Sequence, residues 1–337
     1  MAPTQTMQRK AKKPEQESVP TTMRAAAIDH YGGPEVLILH ELPVPKAGVS
    51  EVLIAVHTAG VGGWDADIRE GWNPGGRVRF PLVLGTDGSG TIAQLGPRTR
   101  RFDVGERVYS YSWNNPKGGF YAEYVAVRED HVAPIPDPPL DLKHAGAVPV
   151  IGLTALQGIG EHLDVQTGEN MMIHGASGGV GTLAIQFAKE RGAKVFAVAS
   201  GSDGVAVVKR LGADAAVDGH KEDFVEAAFR FAPKGMDAVL VLGSGESVQN
   251  CLDVLGQGGR LAYPNGVEPA PKKRRGMKIM SYDAVAGVRE FERLNRAIQK
   301  AKVQVPIAAE FPLEEAAEAH RRIDRGHVLG KIVLRIR

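Results

Sequence analysis

The run from Asn170 to Gly201, NMMIHGASGGVGTLAIQFAKERGAKVFAVASG, constrains the fold more than any other stretch. Three apolar residues, Met171, Met172 and Ile173, lead into a turn of small residues, Gly175-Ala176-Ser177-Gly178-Gly179-Val180-Gly181. A helical period follows, with Leu183, Ile185, Phe187 and Ala188 apolar and Gln186, Lys189, Glu190 and Arg191 polar. Gly192 supplies a helix stop, and Lys194–Ala199 is a second β-branched run. The pattern predicts a strand, a tight turn, a helix and a parallel strand, which is a βαβ unit.

The chemistry of such a turn is anion binding. With no Cβ, Gly178 lets the backbone approach a pyrophosphate, and Gly181 lets the helix pack closely on the strand. The helix N-terminus adds unpaired N–H groups and the positive end of its dipole. Ala176 stands where the G-x-G-x-x-G pattern has its first glycine, giving A-S-G-G-V-G. In its strand–turn–helix–strand context the signature still points to a dinucleotide.

Four more apolar runs alternate with helical segments after Lys194–Ala199: Asp214–Asp218, Ala238–Leu242, Arg260–Tyr263 and Met277–Tyr282. Together they predict an α/β fold with a doubly wound parallel sheet. Upstream the texture differs. Short strands are predicted at Met23–Ile28, Val36–Leu39, Glu51–Thr58, Val83–Leu84, Gly88–Gln94, Arg107–Ser110 and Ala122–Val127, spaced by Gly, Pro and Asn. That spacing predicts an antiparallel, barrel-like domain. His144–Gly160 reads as one helix entering the second domain, Ala286–Lys300 and Leu313–Arg325 as helices leaving it, and Gly330–Ile336 as a closing strand.

Composition narrows the partners. The balance of 41 basic against 39 acidic residues points to no nucleic acid and no membrane surface, and no apolar run approaches a membrane span. Residues 1–22 are polar and Pro-bearing without an apolar signal core, so a disordered extension and a cytoplasmic protein are expected. The single cysteine, Cys251, rules out a disulfide within the chain and a multi-cysteine zinc site; it is expected as a small hydrophobe in a helix. The run Lys272-Lys273-Arg274-Arg275 is either a solvated loop or the edge of a cleft.

Dinucleotide type is read where the second strand ends. The position holds Ala199-Ser200-Gly201, with no carboxylate to bind a ribose 2′-hydroxyl and repel a 2′-phosphate. The sequence therefore leans to NADP(H), while Asp203 nearby keeps NAD open.

The segments MMIHGASGGVG and AIQFAKERGAKVFAVAS, with PLVLGTDGSGTI, FDVGERVYS, AVPVIGLTALQGI and GKIVL, resemble the medium-chain dehydrogenase/reductase superfamily in its zinc-free quinone oxidoreductase branch. The resemblance runs from Met23 to Arg337. It implies a discontinuous GroES-like β-barrel domain, 23–145 and 287–337, around a Rossmann domain, 146–286. It implies that Ala176, Ser177, Gly178, Gly179, Val180, Gly181 and Ser200 bind the cofactor, with Leu242, Gly243, Pro264 and Asn265 at the nicotinamide and Thr154 lining the same cleft. Relatives place a Lys four residues beyond the serine and a Tyr at the end of the third strand; here Gly204 and Gly219 stand there.

For the reaction, the resemblance implies metal-free hydride transfer to a quinone or a conjugated enone or alkenal. The zinc enzymes of the superfamily carry a Cys and a His in motifs that here read AGVGGWD and LGTDGSG, placing Gly62 and Thr86 at the ligand positions. Zinc catalysis needs three side-chain ligands, so no metal is expected. Trp64, Trp72, Tyr111, Trp113 and Phe120 fall in loops expected to line the cleft, each as a pocket wall or a core residue. Asp65 is either a hydrogen-bonded structural carboxylate or the group that orients acceptor or water. Branch relatives carry Asn where Gly62 stands, and some carry tyrosines where Asp67 and Asn73 stand. A non-catalytic dinucleotide-binding protein of the same fold is the alternative. The resemblance also implies a homodimer that extends the parallel sheet through Met277–Tyr282.

Overall fold

The computed structural model describes residues 19–72 and 78–337, so Asn73 and most of the N-terminal extension lie outside the described residues. The first half is strand-rich: β1 (Thr22–Ile28), β2 (Ile38–Pro43), β3 (Glu51–Val61), helix α1 (Gly63–Arg69), β4 (Leu82–Val83), β5 (Asp87–Leu95), β6 (Arg107–Tyr111), β7 (Tyr124–Arg128) and β8 (Val132–Pro134). Helices α2 (Leu142–Gly146) and α3 (Pro149–Gln157) then lead into the alternating region. There follow β9 (Asn170–His174), α4 (Gly179–Glu190), β10 (Lys194–Ala199), α5 (Gly201–Arg210), β11 (Ala215–Asp218), α6 (Phe224–Phe231), β12 (Met236–Val241), β13 (Leu255–Pro264) and β14 (Lys278–Tyr282). The chain closes with α7 (Val288–Ala301), β15 (Ile307–Pro312), α8 (Ala316–Asp324) and β16 (Lys331–Arg335).

Strands β9 to β14 form one six-stranded parallel sheet in the order β11-β10-β9-β12-β13-β14. This is the doubly wound arrangement, and the winding reverses between β9 and β12. Met171, Met172 and Ile173 of β9 are fully buried, as a central strand covered on both faces requires. The remaining strands make a three-stranded sheet, β2-β1-β4, and a seven-stranded one in which β16 pairs antiparallel with β3. The last strand of the chain therefore lies beside residues 58–61. These pairings support the division into 23–145 with 287–337 and 146–286, which we propose as the two domains. One apolar core runs through their junction, joining Tyr109 and Val333 to Met171, Leu183 and Phe291.

Several local expectations are corrected. The strand expected at Val36–Leu39 is displaced: Pro34 fixes its own backbone angle and opens a 3-10 turn over Pro34–Val36, so β2 begins at Ile38 and runs on to Pro43. The single helix expected over His144–Gly160 is two, because Pro149 lacks an N–H and starts α3 afresh. Asp141 caps the first of them by accepting from the His144 N–H at 2.8 Å. Cys251 is buried, in a 3-10 segment rather than an α-helix, and burial pushes its thiol up to about 12. Among the described residues, no helix is long and apolar enough to cross a membrane.

Candidate active site

The C-terminal ends of β9, β12 and β13 lie side by side and bring three segments together: Gly175–Gly181, Leu242–Ser244 and Pro264–Asn265. The contact is one of bare backbone. A Cβ on Gly175, whose φ is +78°, would lie 2.8 Å from the Gly243 nitrogen. One on Gly181 would lie 2.5 Å from the Ala176 carbonyl oxygen. At Gly178 the geometry is opposite, since an added Cβ would meet only the Gly175 oxygen, at 3.6 Å. Gly178 caps α4 in an extended conformation, with the first-turn N–H groups just beyond it. The space above Gly178 therefore adjoins a row of donors at a helix N-terminus, and a pyrophosphate fits it.

The other expected dinucleotide residues surround this turn. Ala176 and Ser177 are buried, and the Ser177 hydroxyl accepts from the Ser200 N–H at 3.2 Å. The Leu242 N–H donates to the His174 carbonyl at 2.9 Å, and the Asn265 N–H to that of Tyr282 at 2.9 Å. Thr154 is buried on α3, its hydroxyl donating to the Val150 carbonyl at 2.8 Å. His174, at the end of β9, is held well below the usual histidine range, at about 4, by burial and by His220. At the far side, the Ser200 hydroxyl lies 3.0 Å from His327 Nδ1 and 3.1 Å from His220 Nε2.

The C-terminal segment ties this region to the aromatic one. The Gly330 N–H donates to the Ser177 carbonyl at 2.9 Å. The next residue, Lys331, is buried with its Nζ 4.4 Å from the centre of the Trp64 ring. Trp64 in turn donates from its indole nitrogen to Thr86 Oγ1 at 2.7 Å. Its ring lies over Gly62 so closely that a Cβ there would be 2.3 Å away. One indole thus fills the space a side chain at 62 would need and engages the hydroxyl at 86. The two positions that hold metal ligands in zinc relatives are spanned by Trp64. Among the described residues, no group of three or more His, Cys, Asp or Glu side chains is placed to hold a metal ion.

The remaining aromatic candidates separate. Trp113 is half-buried and meets Trp72 edge-on at 5.6 Å between ring centres, with Trp72 mostly exposed. A cleft of about 580 Å³ opens beside them, bordered by Trp72, Leu84, Thr86 and Ser112. Of the five aromatics expected to line it only Trp72 does, and neither Trp64, Trp113 nor any of the dinucleotide residues borders it. Phe120 has no access to it: the ring is fully buried in the first-half core, at the edge of the close-packed Gly88. Tyr111 is nearly buried, which holds its hydroxyl neutral.

Asp65 is fully buried. Its Oδ2 accepts from the Gly62 N–H at 2.8 Å and caps α1, so it fixes the backbone on which Trp64 stands. Burial, helped by repulsion from Asp87, pushes its carboxyl up to about 7 against the opposing charge of Lys331. Asp87 is also buried and raised by burial; its Oδ2 accepts from the Val150 N–H at 3.2 Å while Oδ1 lies 4.0 Å from Lys331 Nζ. Behind Asp65 runs a chain whose protons can be assigned. Arg69 is a donor only, so His320 Nδ1 accepts from it at 3.0 Å and Nε2–H faces the Tyr121 oxygen at 3.2 Å. The Tyr121 hydroxyl is then left to donate to Asp65 Oδ2, at 3.4 Å. Burial holds His320 low, at about 3, consistent with a neutral ring. Sequence reasoning missed Lys331, Asp87, Tyr121 and His320; the available signals were the GKIVL segment, which holds Lys331 and was read only as a strand, and PLVLGTDGSGTI, which holds Asp87.

Two families match the halves: the alcohol dehydrogenase GroES-like domain over residues 48–137 and the zinc-binding dehydrogenase family over residues 211–334. The quinone oxidoreductase of Mus musculus is 32% identical over 330 residues, covering 93% of this chain and 97% of that protein. The chloroplastic NADPH-dependent alkenal/one oxidoreductase of Arabidopsis thaliana is 29% identical, covering 94% of this chain and 80% of that protein. The crystal structure of a NAD-dependent alcohol dehydrogenase superimposes with a TM-score of 0.85 at 30% identity, covering 94% of this chain and all of that one, 100%. The strand order, the glycine turn at the reversal of the sheet and these matches across both halves lead to one family. The chain belongs to the medium-chain dehydrogenase/reductase superfamily, in its quinone oxidoreductase branch.

Proposed function

We propose that the protein is an NADPH-dependent reductase of quinones or conjugated enones and alkenals, working without a metal ion. The observation that carries this is the two-residue step at Gly330–Lys331, where one end bonds the dinucleotide turn and the other lies over Trp64. It joins the site for a hydride donor to a flat apolar wall. The quinone and alkenal/one reductases among its relatives support the acceptor class. When bound, the reduced nicotinamide supplies the hydride.

The chain's residues hold and orient. Gly178–Gly181 and the α4 N-terminus take the pyrophosphate; Leu242, Gly243, Pro264, Asn265 and Thr154 flank the nicotinamide; Trp64 and Trp113 bound the acceptor and keep water from it. Asp65, being buried, is a positioning residue: it holds the Gly62 backbone under the indole. With no side chain at 62, an acceptor already activated by conjugation is the fitting one. The NADP(H) assignment is supported by Ser200 in place of a carboxylate, and the dimer by the partly exposed edge of β14. We place the protein in the cytoplasm.

The deciding experiment is NADPH oxidation with a panel of quinones, enones and saturated alcohols, with metal analysis of the same preparation. Turnover of conjugated acceptors with far less than one zinc per chain is expected. Label from 4-deuterated NADPH should appear at the β-carbon of an enone product. Turnover of saturated alcohols alone would overturn the proposal, and so would one tightly held zinc per chain whose removal abolishes activity.

A further inference from the structure

The far end of the dinucleotide site carries a cluster of polar side chains around Ser200. Ser200 follows β10 and caps α5. Two imidazoles from other elements converge on its hydroxyl: His220, just beyond β11, at 3.1 Å, and His327, from the loop between α8 and β16, at 3.0 Å. The far nitrogen of His327 lies 2.9 Å from Asp203 Oδ2. Arg322 fixes the loop by donating to the carbonyls of Gly326 and His327, at 2.9 and 3.0 Å. Gly201 is needed for the approach, since it has φ of +74° and a Cβ there would lie 3.0 Å from the His327 ring. The arrangement is solvent-accessible, and it stands where a dinucleotide's adenosine ribose lies in a doubly wound fold.

We propose that His220 and His327, hinged on Ser200, are the groups that recognise the 2′-phosphate of NADPH, and that they do so through their protonated forms. The assignment rests on the dinucleotide role proposed above. It accounts for how a chain with Gly204 and Gly219 at the two positions where relatives carry Lys and Tyr keeps a phosphate-binding end. A neutral pair satisfies itself: His220 Nε2–H donates to Ser200, Ser200 donates to His327 Nδ1, and His327 Nε2–H donates to Asp203. A phosphate dianion competes for those donors, and it competes best when both rings are imidazolium, because charge-assisted bonds are the stronger ones.

The neighbouring charges divide. Asp203 and Asp218 oppose an incoming phosphate. Asp203 is held below its usual range by His327, and Asp218, which accepts from the His220 and Gly201 N–H groups, by those bonds. Lys221, 3.9 Å from Asp218, offsets one of them. Glu222 is turned to the Asp218 N–H, His174 is neutral, and Arg322 is occupied by carbonyls. Arg322 stays a cation while its N–H groups are engaged, so the attraction that varies with pH at this end is left to the two imidazoles, and affinity for the 2′-phosphate should follow their protonation.

The test is binding without turnover, by nucleotide fluorescence and by displacement with 2′,5′-ADP or 5′-AMP. From pH 8 to pH 6.5, NADPH and 2′,5′-ADP should bind about tenfold more tightly, while NADH and 5′-AMP change less than about twofold. The double variant His220→Gln/His327→Gln should lose about tenfold in NADPH affinity at pH 6.5 and lose the pH dependence, with NADH affinity and melting temperature unaltered. A pH-independent wild-type preference, or an equal loss for NADH and NADPH in the variant, would overturn the proposal. So would unchanged NADPH binding by the variant. Wild-type protein that binds neither dinucleotide would instead overturn the dinucleotide role itself, and is recognised by the absence of any signal before a variant is made.

Discussion

The dinucleotide turn and the aromatic region around Trp64 meet adjacent residues, Gly330 and Lys331, at the start of β16, yet they are built on opposite principles. The turn works by omission: Gly175 and Gly181 let backbone meet backbone, and Gly178 leaves a gap. The second region works by substitution, in that Trp64 fills what Gly62 leaves and takes the hydroxyl of Thr86. In the first region, adding an atom removes function directly. In the second, the effect of a residue depends on which neighbour has already claimed its space.

The largest effect should come from the gap. Gly178→Val should cost at least about a hundredfold in NADPH affinity by fluorescence titration, because its side chain occupies the space for the pyrophosphate. The melting temperature should hold, since nothing in the protein lies close to that Cβ and its φ of −77° suits any residue. Gly181→Ala should behave inversely, losing about 1–3 kcal/mol of stability by denaturant titration through its clash with the Ala176 carbonyl. If both variants fold equally well, the contrast within the turn is wrong.

Around Trp64, Gly62→Cys should cost about 1–3 kcal/mol in the parent, from its overlap with the indole. It should cost much less in a Trp64→Ala background. A double-mutant cycle reads the difference, and additivity would show that Trp64 is not what excludes a side chain at 62. Trp64→Ala alone should raise the KM for enones and quinones roughly tenfold with NADPH affinity nearly intact; loss of both would mean that the two regions are not separable.

A further effect concerns Asp65 and depends on pH. Its folded pKa, about 7, lies above the 3.8 of an ordinary Asp, so the folded state holds the proton more tightly. Stability contributed by the protonated form is fully present below about pH 4 and is lost as pH rises through about 7. Asp65→Asn removes that loss, so its stability relative to the parent should improve by about 2 kcal/mol between pH 5 and pH 8. Denaturation curves at both values decide it, and a constant difference would place the titration elsewhere.

The two regions also differ in how far the residues alone reveal them. The turn was legible because its signal is local: a strand, small residues and a helical period, adjacent in the chain. The six parallel strands followed from the same periodicity, and even the absent carboxylate at Ser200 could be read by counting. The region around Trp64 was not. That Trp64 covers Gly62 depends on a rotamer, and its partner Thr86 is 22 positions away. Phe120 falls in a loop expected to line the cleft, whereas close packing against Gly88 holds its ring in the core. His327 meets Ser200 across 127 positions, and no periodicity announces such a pair. β15 was missed because Ile307–Pro312 shows neither an apolar run nor a clean alternation, and its parallel partner, β16, comes after it.

The pairing of β16 with β3 also has a consequence for how the chain folds. Strands β9 to β14 are neighbours drawn from one continuous stretch, so that sheet can form as soon as its own residues have left the ribosome. The antiparallel sheet cannot finish, because residues 58–61 wait for residues 332–335 at the other end of the chain. Synthesis would leave the β3 edge at residues 58–61 unpaired until residues 332–335 have emerged, an interval in which an open strand edge invites aggregation. Pulse-labelled hydrogen exchange during refolding should protect the β9 and β12 amides before those of β3 and β16.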